Sequence, residues 1–138
     1  MDIPIIDKSN YLRGLLITAR KDKQLSESEK KILKVFAEKL GFAEDFYEET
    51  IRNLLANKYL PEDPVKFSDK QIAESFITDG LKLAYSDERI TDNELDWLRE
   101  TAKTNGLDNS WFEKTREAVQ NYYNNPNGDS DLKLYSII

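Results

Sequence analysis

The residues best able to do chemistry in this chain are acids, and they occur twice with one spacing. Asp22 and Glu29 bracket the stretch Asp22-Lys23-Gln24-Leu25-Ser26-Glu27-Ser28-Glu29, and Asp87 and Glu94 bracket Asp87-Glu88-Arg89-Ile90-Thr91-Asp92-Asn93-Glu94. The chain has neither histidine nor cysteine, which removes the commonest general base, thiolate chemistry and the softer metal ligands. A metal site here would be built from oxygen, which suits calcium, magnesium or manganese. Ser26-x-x-Glu29 and Thr91-x-x-Glu94 also read as capping boxes, in which the hydroxyl accepts from the backbone N–H three residues on and the carboxylate reaches back. A cap of this kind stabilises a helix by about 0.5–2 kcal/mol. Asp22 and Asp87 are less easily explained, because an acid at a helix C-terminus opposes the macrodipole, although a side-chain-to-backbone turn can offset that. Two readings stand: caps and turn formers alone, or a shared acidic site. Neither loop is an EF-hand, since Lys23, Gln24 and Leu25 occupy the stretch where that loop sets its ligands.

These loops need helices to hold them, and the apolar periodicity supplies six. The first is expected from about Ser9 to Lys21, with Leu12, Leu15, Leu16 and Ala19 on one face. The second runs from about Glu27 to Leu40, burying Ile32, Leu33, Phe36, Ala37 and Leu40, and stops at Gly41. The third runs from about Glu44 to Asn57, with Phe46, Tyr47, Ile51, Leu54 and Leu55 inward. A linker from Lys58 to Phe67 follows, where Pro61 and Pro64 rule out helix. The fourth helix opens at Ser68, with Gln71 in the capping-box position, and buries Ile72, Phe76, Ile77, Leu81 and Ala84. The fifth runs from about Asp92 to Asn105, with Leu95, Leu98 and Ala102, and ends at Gly106; the sixth, from about Asn109 to Asn124, carries Trp111, Phe112, Ala118, Val119, Tyr122 and Tyr123. Beyond the polar stretch Asn125–Ser130, an apolar end containing Leu132, Leu134, Tyr135, Ile137 and Ile138 is expected to fold back onto the body.

Shifting the chain by 65 residues aligns Leu16–Thr50 with Leu81–Thr115 without a gap, and nine of the 35 positions are identical. They include Leu16/Leu81, Ala19/Ala84, Asp22/Asp87, Glu29/Glu94, Leu33/Leu98, Ala37/Ala102 and Gly41/Gly106. A register that matches core, loop and helix stop together predicts internal duplication. The expectation is one all-α domain over residues 1–138, of about six to seven helices. Two three-helix units, 10–57 and 68–124, are joined by the linker 58–67.

An Asp-x-x-(Ile/Leu)-(Ser/Thr)-x-x-Glu loop between helices, with an Ala before it and a Gly after the next helix, used twice, resembles the TerB-like family. This is the tellurite-resistance-associated helical domain, similar also to a module of some membrane-anchored DnaJ-like co-chaperones. The resemblance spans roughly Asn10 to Val119. It implies an all-helical, non-enzymatic, stress-associated module in which the two loops form an acidic divalent-cation site made of Asp22, Glu29, Asp87 and Glu94. The family usually carries Asp-Gly where this chain has Asp22-Lys23 and Asp87-Glu88. Calcium is expected over magnesium, because calcium accepts imperfect clusters of carboxylates and carbonyls whereas magnesium demands a tight octahedron.

Composition narrows the remaining classes. At 138 residues the chain is one ordinary domain, able to bury roughly 68–70% of its unfolded surface without disulfide or metal. The net charge of −6 argues against sequence-independent nucleic-acid binding, which needs a basic face. The acidic first residues lack the basic and apolar regions of a signal peptide, and no apolar run approaches a membrane span, so a cytoplasmic location is the default. The partner expected is another protein, with no nucleic acid and no direct membrane insertion. Trp97, Trp111, Phe112, Tyr122 and Tyr123 could form a binding face but fit core packing better. Lys30, Lys31 and Lys34 read as a solvated helix face rather than a phosphate site. The alternative from another class is a hydrolase using the clustered carboxylates, which would require a deep apolar-walled pocket holding one protonated and one ionised carboxylate.

Overall fold

The computed structural model describes residues 3–20, 27–56, 63–85 and 91–124. They form six helices: α1 (Ile5–Arg20), α2 (Glu27–Lys39), α3 (Glu44–Ala56), α4 (Lys70–Tyr85), α5 (Asp92–Thr104) and α6 (Asn109–Asn124). Among the described residues there is no strand. The helix starts fall at one interval: Ile5 and Lys70, Glu27 and Asp92, and Glu44 and Asn109 are each 65 residues apart.

The apolar stripe of α1 makes it a central helix. Tyr11, Leu12, Leu15, Leu16, Ile17 and Ala19 are all buried, and a fully buried Leu or Ile contributes about 1.5–3 kcal/mol relative to exposure. Its main neighbour is α4, which is buried through Ile72, Ala73, Phe76, Ile77, Leu81, Leu83 and Ala84. Helices α2 and α3 pack on each other and on α1; α5 and α6 pack on each other and on α4, and α5 also reaches α1. A cluster of rings ties these helices together: Tyr11 meets Phe36, Phe67 and Phe76 at centroid distances of 6.1, 5.9 and 5.4 Å, and Phe76 meets Trp97 at 6.2 Å.

The close approach of α1 and α4 depends on Gly14. A Cβ there would stand 2.5 Å from Cζ of Phe76, so only glycine lets that ring lie on the backbone of α1. Two other glycines end helices. Gly41 and Gly106 have φ of +87° and +76°, a conformation that side chains resist. Around Gly41, its N–H donates to Glu38 O at 3.0 Å and the Phe42 N–H to Ala37 O at 2.9 Å. Around Gly106, its N–H donates to Lys103 O at 3.0 Å and the Leu107 N–H to Ala102 O at 2.9 Å. Both are Schellman stops.

Several elements differ from expectation. Helix α1 begins at Ile5 rather than Ser9, with the Lys8 N–H bonded to Pro4 O at 2.9 Å. The cap of α4 is Asp69 rather than Ser68: its Oδ1 accepts from the Gln71 N–H at 2.6 Å, while the Ser68 hydroxyl and N–H both donate to Asp7. The end of the expected linker packs into the core, with Val65 at 1% and Phe67 at 7% exposure. Phe46 is half exposed, stacked on Phe42 at 5.3 Å rather than turned inward. Ala118 is exposed, and Ile32, Ile51, Leu95, Trp111, Tyr122 and Tyr123 are only partly buried. The side chains of Leu54 and Leu55 and the apolar end 125–138 lie outside the described residues.

Candidate functional site

Of the four acids expected to share a site, Glu94 alone has its side chain among the described residues. Thr91 has extended backbone, φ −100° and ψ 157°, and caps α5. Its Oγ1 accepts from the Glu94 N–H at 3.2 Å, and Glu94 Oε1 accepts from the Thr91 N–H at 3.2 Å. This is the reciprocal box expected from the sequence. It leaves Glu94 at 2% exposure, with one carboxylate oxygen committed to the helix end. Asp22 and Asp87 lie outside the described residues; Glu29 lies in α2 with its side chain outside them. Among the described residues no three acidic side chains stand together as a metal site.

The structure assembles other polar groups that periodicity does not predict. Tyr11 donates its hydroxyl to Asp79 Oδ2 between α1 and α4. Having given its single proton, Tyr11 accepts in the 3.0 Å bond with the Ser75 hydroxyl. All three residues have no exposure to solvent. Burial, and then the charge of Asp79, holds the Tyr11 hydroxyl well above its usual ionisation range. Asp7 is likewise buried, at 2%, and receives the two Ser68 donors. Both acids fall on the apolar stripes of their helices. Asp7 precedes Tyr11 by four, and Asp79 follows Phe76 by three. An acid on a buried stripe is the sequence signal that marks them.

Two hollows lie at the surface of the described residues. Between α2 and α3 lies a groove of about 440 Å³, lined by Lys30, Lys31 and Lys34 of α2 and by Tyr47, Glu48, Ile51 and Arg52 of α3. Its floor is apolar and fixed: Tyr47, 7% exposed, donates its hydroxyl to Lys30 O at 3.0 Å. Burial, then the neighbouring Glu48, raises the Tyr47 hydroxyl to about 12. The positions 65 residues on, between α5 and α6, are bridged instead. Arg99 Nη2 meets Glu113 Oε1 at 3.1 Å, Arg116 Nε meets Glu113 Oε2 at 2.9 Å, and Arg99 Nη1 meets Asp96 Oδ1 at 3.0 Å. The Arg99 guanidinium also lies 5.2 Å over the ring of Phe112, which has no exposure. Arg116 and then Arg99 hold the Glu113 carboxyl below its ordinary range. The second hollow, about 420 Å³, lies beyond Arg99 toward the Leu107–Asn109 turn, with Glu100, Lys103 and Asp108 among its lining. Neither hollow includes Glu94.

No described helix is long and apolar enough to cross a membrane. Compared with protein-family models, curated proteins and solved structures, the chain has no match.

Proposed function

We propose that this chain is a non-enzymatic TerB-like module of two duplicated three-helix units, α1–α3 and α4–α6. It works in the cytoplasm, in a stress response of the tellurite-resistance kind, by binding another protein. Its two interhelix loops are the candidate divalent-cation site, with Asp22, Glu29, Asp87 and Glu94 as ligands. The observation that supports this reading best is the 65-residue interval shared by the three pairs of helix starts and by the two glycine stops with matching hydrogen bonds. The buried carboxylates point the same way. Asp7, Asp79 and Glu94 each accept hydrogen bonds from the fold itself, whereas a general acid or base must reach a substrate proton.

The test is a thermal melt of chelator-treated protein with millimolar calcium or magnesium, beside Asp22→Asn and Asp87→Asn. An ion at a hundredfold excess over its Kd stabilises by about 2.7 kcal/mol, a shift of several degrees for a domain of this size. The shift is expected in the wild type, larger with calcium, and reduced in both variants. If the wild type does not shift, or the variants shift equally, the cation site is wrong and the four acids are caps and turn formers. Turnover of chromogenic ester or phosphate substrates that Glu94→Gln abolishes would overturn the non-enzymatic reading.

A further inference from the structure

Six of the seven residues lining the α2/α3 groove differ from those 65 positions on in the α5/α6 seam, and three of the differences remove the ion pairs that bridge that seam. Lys31 stands where position 96 is Asp, Lys34 where position 99 is Arg, and Ile51 where position 116 is Arg, while Glu48 and Glu113 are the same. With Lys34 and Ile51 in place of Arg99 and Arg116, the groove lacks the two guanidiniums that grip Glu113 and, through Arg99, cover Phe112. Tyr47 and Ile51 remain as an apolar floor between charged walls. Four cations and one acid line this space in a chain whose net charge is −6. Such a local reversal of sign focuses positive potential in the slot.

We infer that the α2/α3 groove docks an acidic segment of a partner protein, with an apolar side chain seated on Tyr47 and Ile51 and carboxylates set against Lys31, Lys34 and Arg52. This rests on the reading of the chain as a protein-binding module and names the chemistry of its partner. At about 440 Å³ the groove takes one or two side chains, not a broad surface. Glu48 lines the slot and Glu44 pairs with Lys34 of its wall, and Asp45 and Glu49 are exposed on the same helix. A bilayer or a nucleic-acid backbone laid across this face would meet those acids as well as the lysines, whereas a narrow peptide enters between them. Lys34 is paired with Glu44 at 3.4 Å, both exposed; a pair of this kind contributes little, so a partner carboxylate can replace Glu44 at small cost.

The experiment measures fluorescence polarisation of a short fluorescein-labelled peptide of alternating glutamate, leucine and phenylalanine against the full chain. A peptide with glutamine for glutamate is run in parallel, and phosphatidylserine vesicles and oligothymidylate serve as further arms. The decisive variant installs the closing residues of the α5/α6 seam: Lys31→Asp, Lys34→Arg and Ile51→Arg together. The wild type is expected to bind the acidic peptide in a salt-sensitive manner. Binding should weaken at least roughly tenfold, about 1.4 kcal/mol, with the glutamine peptide and with the triple variant. Lys103→Glu on α5 should leave it unchanged. Absence of binding, equal binding by the triple variant, or groove-dependent binding of vesicles or oligothymidylate without the peptide overturns the proposal. Should the triple variant lose its helical circular dichroism, Lys31→Glu alone carries the same test, since Lys31 is exposed on α2. The peptide reads only the groove. A failed cation melt or a positive turnover assay would sink the module reading without altering peptide binding, and a peptide that does not bind would leave the melts as they were.

Discussion

Tyr11 and Phe76, 65 positions apart in the chain, meet edge to face where α1 crosses α4, with centroids 5.4 Å apart and ring planes at 86°. Each ring also covers the residue three positions past the other. The tyrosine hydroxyl ends on Asp79, and the phenylalanine Cζ end lies on Gly14. The two contacts correspond in position and differ in chemistry in a matched way: a ring ending in a hydroxyl faces an acceptor, and a ring ending in carbon lies on a residue without a side chain.

Tyr11→Phe removes a hydrogen bond to a buried carboxylate and should destabilise the protein by about 1.5–3 kcal/mol. In urea titrations, Asp79→Ala should cost less in the Tyr11→Phe background than in the wild type, because the two groups share one interaction. Equal costs in both backgrounds would mean that the hydroxyl and the carboxylate are not coupled.

Gly14→Ala sets two effects against each other. Alanine favours the helix by about 1 kcal/mol, but its Cβ would sit 2.5 Å from a fully buried phenylalanine ring, and overpacking of this kind costs about 1–3 kcal/mol. The clash should win, giving a lower urea midpoint, and Phe76→Leu should lessen the effect of Gly14→Ala. A stabilised Gly14→Ala protein would show that α1 and α4 do not approach this closely.

Gly41→Ala and Gly106→Ala should each cost about 1 kcal/mol or slightly more, through backbone conformation alone. Nothing lies within 4 Å of a Cβ at either position, so no clash adds to the cost at one and not the other. Melting temperatures of the two variants should therefore agree closely. A large disparity would contradict the equivalence of the two helix stops.

Burial raises the Tyr47 and Tyr123 hydroxyls to about 12 and holds that of Tyr11 well above its ordinary range. Their unfolded value is near 10. Each neutral hydroxyl contributes stability that is fully present below pH 10 and is lost as pH rises from 10 through the folded value. Tyrosinate absorbance should show these three ionising late, with Tyr11 ionising only as helical circular dichroism is lost. Titration of all seven tyrosines near pH 10 with the helices intact would contradict their burial.

Much of the helical framework can be read from the chain, because Gly41, Gly106 and the apolar stripes act locally. The start at Asn109 follows from the stop at Gly106, and the Thr91–Glu94 box follows from spacing alone. The start of α1 is not legible in this way: Ile5 and Ile6 are 79% and 74% exposed, so they carry no inward period. Phe46 matches Trp111 in register, yet it stacks on Phe42 at the surface, since register fixes a helix face and not the depth of what packs over it. The acids Asp7 and Asp79 acquire their roles from residues more than 60 positions away, which no local pattern encodes. The expected acidic site falls largely on residues outside those described. The groove follows from how the halves differ, at Lys31/Asp96 and Ile51/Arg116, and matching them by identity passes over those positions.

The chain entering α4 is held from both sides. Asp7 and Asn10 of α1 bond Ser68 and Lys66 O. The Asn105 side chain, just past α5, accepts from the Phe67 N–H at 2.8 Å and donates to Val65 O at 2.9 Å. The entry to α4 is thus a clasp that closes only when residues near the start of α1 and Asn105, about a hundred positions later, are both in place. Such distant closure raises the contact order of an otherwise local, all-helical fold. It ties α1, the entry to α4 and the end of α5 together, so the Phe67 and Ser68 amides should exchange with solvent only when these elements part.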